Sequence, residues 1–316
     1  MTTILKVSDL QVDFMSGEKI LNSPLRGINL EIEAGKTLGL VGETGCGKTL
    51  TASAIMGLLP TTASQRGTIE FAGHGFLEAS VMGAIRGSEI AMIFQNPQSA
   101  FNPIFNIGAQ LTMVAQRRNI ERGRIPELLI DRLASVGMSD AKRILASYPH
   151  ELSGGMLQRC MIAMALISTP KLLIADEPTT ALDATIGHQV LGLIRSLQQR
   201  QGFAMLFISH DVSAVAKVSD VISVVYAGRV VESGPAYDLM NNPQHPYTRG
   251  LLGAIPSAQK RRGQLTAIPG SVPSSLKDIV GCSFAPRCAL ADSACSKEPP
   301  LVHINQQLIA CWKVGT

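Results

Sequence analysis

Gly42-Glu43-Thr44-Gly45-Cys46-Gly47-Lys48-Thr49 is the stretch whose reading decides the fold. It has the spacing G-x-x-x-x-G-K-[ST]. The apolar run Leu38-Gly39-Leu40-Val41 before it reads as a buried strand, and Leu50 to Leu59 after it reads as a helix that stops at Pro60. Strand, glycine loop and helix in that order make a phosphate cradle. Glycines let successive backbone N–H groups turn onto an anion with no Cβ in the way. Lys48 is placed to reach β- and γ-phosphates, and the Thr49 hydroxyl to ligate Mg²⁺.

The chain has 316 residues, the size of one large domain or of a domain with an appendage, and 46% of them are hydrophobic, enough for a sizeable core. A formal net charge of only +4 gives no strong nucleic-acid footprint. The local basic clusters Arg117-Arg118 and Lys260-Arg261-Arg262 read as solvated surface. The apolar run at the N-terminus is too short for a signal peptide, and no stretch reaches the length of a membrane span. The expectation is a cytosolic protein whose membrane role, if any, comes through partners.

Working outward from the loop, residues 4–14 and 25–33 read as strands, punctuated by Gly17 and Asn22-Ser23-Pro24. Phe14 offers a ring upstream of the loop that can stack on an adenine or serve as core. Gln95 sits where the buried strand 89–94 emerges, a good place for an amide to meet a ligand or a metal's water. Residues 104–147 change to helical periodicity. Ser153-Gly154-Gly155 then opens a second helix with exposed N–H groups, a second possible anion site. Lys171 to Ala175 is a buried strand ending in Asp176 and Glu177. Two carboxylates at such a place are costly unless they bind something. Asp176 is expected to hold Mg²⁺ and Glu177 to polarise an attacking water. The strand 203–209 ends at His210, which can sense a phosphate or simply cap a strand edge.

Assembled, these residues resemble the nucleotide-binding subunit of an ABC transporter. The resemblance covers about residues 4–255 and rests on motifs in the family's order. These are the Walker A loop 42–49, the Q-loop Gln95, the signature 152–156 and Walker B at 172–176 with catalytic Glu177. The D-loop 181–183 with Asp183 and the switch His210 follow. It implies an α/β fold: a P-loop NTPase cassette with a RecA-like core, an antiparallel β subdomain and a helical subdomain at about 104–165. It implies ATP and Mg²⁺ as ligands, with Thr49, Gln95 and Asp176 at the metal and Phe14 on the adenine. The Ser153-Gly154-Gly155 turn would act on ATP held by the loop of a second, related ATPase subunit. The implied assembly adds two transmembrane permease subunits and an extracytoplasmic solute-binding protein, with this chain peripheral on the cytoplasmic face of the plasma membrane and no nucleic-acid partner.

Residues 256–316 read as an irregular C-terminal extension. Asn242 to Thr248 and Ile268 to Pro273 resemble the oligopeptide/dipeptide/nickel importer branch of the family. Cys282, Cys288, Cys295 and Cys311 crowd into this tail, where a reducing compartment favours metal over disulfides. Their separations lack the tight C-x-x-C of structural zinc sites, so iron–sulfur, zinc and free or paired thiols all stay open. The dipeptide branch implies a [4Fe-4S] cluster. Cys46 and Cys160 read as buried filler. Leu157 stands where the branch often has Arg or Lys, a departure that leaves peptide and nickel or metal-chelate import as alternatives. A soluble ABC ATPase of DNA repair or translation is disfavoured, because such proteins usually carry tandem cassettes or long coiled coils. A metabolic P-loop kinase leaves the signature and His210 unexplained.

Overall fold

The computed structural model describes residues 2–75, 79–255, 268–273, 275–276 and 279–314. The basic cluster Lys260-Arg261-Arg262 and the start of the expected extension at 256 lie outside them. The chain divides into two compact units, one of Met1–Glu78 with Phe207–Thr316 and one of Ala79–Leu206.

Unit 1 opens with β1 (Thr3–Ser16), β2 (Lys19–Glu33), β3 (Thr37–Val41), α1 (Lys48–Ile55) and β4 (Ala63–Phe71). Unit 2 holds α2 (Ala79–Ile85), β5 (Ile90–Ile93), α3 (Pro97–Ala100), α4 (Ile107–Arg117), α5 (Ile125–Ser135), α6 (Ala141–Ala146), α7 (Gly154–Ala165), β6 (Leu172–Asp176) and α8 (Ala184–Gln201). Strand β7 (Ala204–Ser209) follows. Unit 1 then resumes with α9 (Val212–Val218), β8 (Val221–Tyr226), β9 (Arg229–Pro235), α10 (Ala236–Asn241), α11 (Pro246–Gly253), β10 (Val302–Ile304) and β11 (Gln307–Ile309).

In unit 1, β2-β1-β4 form an antiparallel sheet. Leu5 and Val7 point inward, then Leu10 and Val12, so the alternation slips by one residue between them. The register shift between Val7 and Leu10 absorbs the slip, and Asp9 takes φ +50° there. A bulge of this kind lets both apolar pairs face one core. A second set of strands runs β10-β11-β9-β8-β3. Here β3 and β8 are parallel, with Leu38 opposite Val221, and β8 and β9 are antiparallel. All five residues of β3 are buried, as a continuous apolar run requires of a strand covered on both faces.

Unit 2 pairs β5 with β6 in parallel, Ile90 opposite Leu172. Its helices bury one stripe each: Ile107, Leu111 and Ala115 on α4, and Ile125, Leu129 and Leu133 on α5. Asn106, Asp140, Ser153 and Asp183 cap α4, α6, α7 and α8 by accepting from first-turn N–H groups, which satisfies donors the helix cannot.

Three expectations change. Helix α1 ends at Ile55, because Gly57 turns left-handed at φ +61° well before Pro60. Strand β2 runs straight through Asn22-Ser23-Pro24. Pro24 lacks an N–H but falls between the ladder positions Asn22 and Leu25, so no pairing bond is lost. The tail is not wholly irregular: β10 and β11 form a hairpin whose Leu308 and Ile309 extend the edge of β9. Strands of three residues leave too little alternation to read.

Candidate nucleotide site

The loop between β3 and α1 has the local geometry of an anion cradle. Gly45 takes φ +83°, with no heavy atom within 4 Å of where a Cβ would stand. Gly47 takes φ +107°, and a Cβ there would come within 2.5 Å of Leu25 Cδ2. Both positions need glycine, the first for conformation and the second for conformation and room. Lys48 is only 5% exposed. Its Nζ donates to Gly42 O at 2.8 Å and Glu43 O at 3.0 Å. The ammonium is thus held inside the loop by carbonyls it can exchange for phosphate oxygens. Thr49 follows in the first turn of α1. Cys46 is fully buried, and burial pushes its thiol up despite Lys48 beside it, so it stays protonated. Cys160 is also fully buried, its thiol pushed up to about 12.

Glu43 is gripped from far along the chain. Its N–H donates to Tyr247 Oη at 2.9 Å. Its carboxylate accepts both arms of Arg287, at 2.7 Å and 3.0 Å. The Arg287 guanidinium lies 5.7 Å from the Tyr226 ring centroid and 5.9 Å from that of Phe284. Bonds to Glu43 raise it above its ordinary value. Sequence reading quotes Tyr247 only as part of a segment and passes over Arg287. An arginine beside a cysteine carries no motif, and its partner lies 244 positions away.

Behind this grip stands an aromatic cluster. Tyr226 packs against Tyr247 at 4.7 Å and edge-on to Phe284 at 5.2 Å. Glu232, fully buried, accepts from the Gln244 N–H at 2.7 Å and the His245 N–H at 3.0 Å. Burial raises its carboxyl. These bonds fix the start of α11 and so the place of Tyr247. Elsewhere in unit 1, Phe14 lies on β1 opposite Asn22 and Ala63 and is partly exposed. His210 is exposed at the end of β7, where Asp211 caps α9.

In unit 2, Asp176 ends β6 and is 2% exposed. Glu177 takes φ +47°, an uncommon conformation for a residue with a Cβ. Its Oε2 accepts from Gln95 Nε2 at 3.1 Å and from Thr180 Oγ1 at 2.8 Å. The structure therefore brings Gln95 and Glu177 together, across 82 positions. Ser153 Oγ accepts from the Met156 N–H, with Ser153 and Gly154 exposed at the head of α7. Asp183 accepts from the Ile186 N–H at 3.0 Å and is exposed. Leu157 is buried at 1% exposure, so its departure from the branch is a packing choice.

The four tail cysteines carry free thiols. Cys282 N–H donates to Cys295 O at 2.9 Å. Burial raises the Cys282 thiol, and the charges of Cys295 and Cys311 raise it further; Cys311 is raised likewise, with Cys288 and Cys295 contributing. The thiols thus share one neighbourhood. Among the described residues, however, no group of three or more Cys, His, Asp or Glu side chains is arranged to hold a metal ion. The expected iron–sulfur ligand set is not formed by the side chains as they lie. Among the described residues no helix is long and apolar enough to cross a membrane.

The family profile described as "ABC transporter" matches residues 25–180, and that described as "Oligopeptide/dipeptide transporter, C-terminal region" matches residues 231–295. A probable peptide ABC transporter ATP-binding protein, y4tR of Sinorhizobium fredii, is 44% identical over 98% of this chain and 95% of its own length. The oligopeptide transport ATP-binding protein OppD of Salmonella typhimurium is 40% identical over 98% of this chain and 93% of its own. Among solved structures, the ATP-binding cassette MJ0796 bound to ADP and Pi superposes with a TM-score of 0.64 at 24% identity, over 74% of this chain and 99% of that one. CbiO1 of Clostridium perfringens gives 0.66 at 24% identity, over 77% and 92%. At that identity these two speak for the fold alone. On the relatives that match it almost end to end, the chain belongs to the ABC transporter family, as an ABC-type ATPase of the oligopeptide/dipeptide branch.

Proposed function

We propose that this chain hydrolyses ATP to power import of short peptides. It works as one of a pair of related ATPase subunits, on the cytoplasmic face of the membrane, with two permease subunits and an extracytoplasmic binding protein. Residues 1–255 act as the cassette, with a helical subdomain at about 104–165, and 256–316 as its extension. The single observation that carries the chemistry is the Glu177 carboxylate, held by Gln95 and Thr180 at the end of a buried strand. A carboxylate poised there accepts hydrogen bonds now and can orient and deprotonate a water once ATP is bound. The choice of peptides rests on the profile match over residues 231–295 and on the names of the relatives.

The roles divide as follows. Residues 42–47 form the phosphate loop, whose amides other than that of Glu43, which is held by Tyr247, bind the phosphates together with the Lys48 ammonium, and the Phe14 ring stacks on the adenine. Thr49, Asp176 and Gln95 are the residues that would hold Mg²⁺, which supplies charge neutralisation on the phosphate oxygens. His210 contacts the γ-phosphate. Ser153, Gly154 and Gly155 press on the ATP of the partner ATPase subunit, and Asp183 belongs to the same interface. Closure over ATP and reopening after hydrolysis drive the membrane subunits.

The deciding experiment is ATP turnover by the complete reconstituted importer with its binding protein. One arm receives a pool of short peptides and the other nickel with chelators. Stimulation by peptides alone supports the reading. Stimulation by metal chelates alone, or by neither, overturns it.

An iron–sulfur centre at Cys282, Cys288, Cys295 and Cys311 enters this reading through the family resemblance and the shared neighbourhood of the thiols. No step of the ATP chemistry passes through it. Iron and acid-labile sulfide, stoichiometric with anaerobically purified chain, would support it; their absence, or stoichiometric zinc, would remove it.

A further inference from the structure

We infer that Arg287, in the cysteine-bearing tail, is a positioning residue of the nucleotide site. It neutralises and clamps Glu43, so that the phosphate loop can accept a polyanion. The inference rests on reading residues 42–49 as an ATP cradle and adds a residue to it.

The physical problem begins in the loop itself. Glu43 puts a carboxylate on the second position of an eight-residue segment that must receive a highly charged anion. A bare carboxylate there repels the ligand, and in a partly buried site that repulsion is poorly screened. Arg287 answers it with a bidentate fork, both arms on Glu43 at 2.7 Å and 3.0 Å. Such planar pairs are strong and geometrically demanding. The pair is sheltered: the Arg287 side chain is 7% exposed and that of Glu43 26%.

The clamp is also held from behind. Arg287 Nε donates to Pro269 O at 2.7 Å, and a terminal nitrogen reaches Gly270 O at 3.3 Å. Tyr226 and Phe284 lie against the guanidinium. Its donors are spent and its plane is fixed. Glu43 is in turn held at three points, by Arg287 on the carboxylate, Tyr247 on the N–H and Lys48 on the C=O. Lys48 leaves for phosphate when ATP binds. The other two restraints come from downstream of the cassette strands and remain in place. The C-terminal region is therefore part of the nucleotide site.

The test measures Kd for ATP·Mg²⁺ by calorimetry on the full chain, and KM and kcat on the assembled importer. Arg287→Ala exposes the Glu43 charge; Kd and KM rise about tenfold and kcat changes less than about twofold. Glu43→Gln alone changes KM by less than about threefold, since it removes the repelling charge together with the clamp. The decisive variant is the double Glu43→Gln/Arg287→Ala, whose KM returns to that of Glu43→Gln. Arg287→Lys keeps the charge but loses the fork, and its KM lies between those of wild type and Arg287→Ala. Simple anchoring of the tail would leave the double variant as impaired as Arg287→Ala, which overturns the inference, as does an unchanged KM in Arg287→Ala. If Arg287→Ala does not fold, the double variant decides: ATP binding as tight as in Glu43→Gln supports the inference, and a tenfold loss relative to Glu43→Gln refutes it. Lys48→Ala separates the inference from its premise. If Lys48→Ala binds ATP like wild type, the cradle reading fails; if it loses binding while Arg287→Ala does not, only the clamp fails.

Discussion

Acid should loosen the C-terminal part of unit 1 through His245. The imidazole is 1% exposed. Its Nδ1 accepts from the Tyr247 N–H at 3.0 Å and caps α11. Nδ1 is therefore unprotonated and the ring proton sits on Nε2, where a bond to the Ala310 backbone lies. Protonating Nδ1 would set two donors against each other at the helix start. Burial accordingly lowers the group to about 4 from 6.5, with the Ala310 bond pulling it part of the way back. The sign follows from proton counts. Between pH 6.5 and 4 the unfolded chain binds a proton at this site and the folded chain does not, so stability falls as pH falls. Going from pH 7 to pH 5, the loss from this one group is about 2 kcal/mol. Glu232 works in the opposite direction, since burial raises it from 4.5, so stability falls there as pH rises through the raised value. His245→Asn separates the two. Asparagine keeps a capping acceptor but does not titrate, and Glu232 is common to both proteins. Trp312 is the chain's only tryptophan and lies in this same unit, its Nε1 bonded to Lys297 O at 2.9 Å. Its fluorescence in urea at pH 5, 6 and 7 reports the relevant transition. Wild type should lose about 2 kcal/mol more than His245→Asn over that range. Parallel pH profiles would refute the argument.

Three further outcomes are expected. Glu177→Gln should bind ATP normally while single-turnover hydrolysis falls by about 10²–10⁴-fold; near-normal turnover would show that Glu177 is not the base. Gly47→Ala should destabilise the protein by about 1–3 kcal/mol in urea unfolding, because φ +107° strains an L-residue and its Cβ would meet Leu25 at 2.5 Å. Glu232→Gln at pH 7 should lower stability by about 1–3 kcal/mol, since its amide end turns a donor toward either the Gln244 or the His245 N–H and leaves that group unpaired; a more stable variant would show that relief of the buried charge dominates.

What could be read from the sequence is what neighbouring residues dictate. The strand before Gly42, the glycine spacing and Lys48 are contiguous, and the backbone of so short a stretch leaves few alternatives. The helical stripes of 107–115 and 125–133 repeat every four residues on one face. Asp176 and Glu177 announce themselves as adjacent charges after an apolar strand. Other features were decided only by the folded chain. The bulge at Asp9 depends on which face of β1 meets the core. The hairpin of β10 and β11 draws its stability from the edge of β9, not from its own six residues. Gln95 meets Glu177, and Arg287 meets Glu43, across 82 and 244 positions. Local patterns survive in sequence because covalent geometry enforces them at fixed spacing. A charge pair closed by packing has no spacing to recognise, and its partners become visible only when the core behind them is in place.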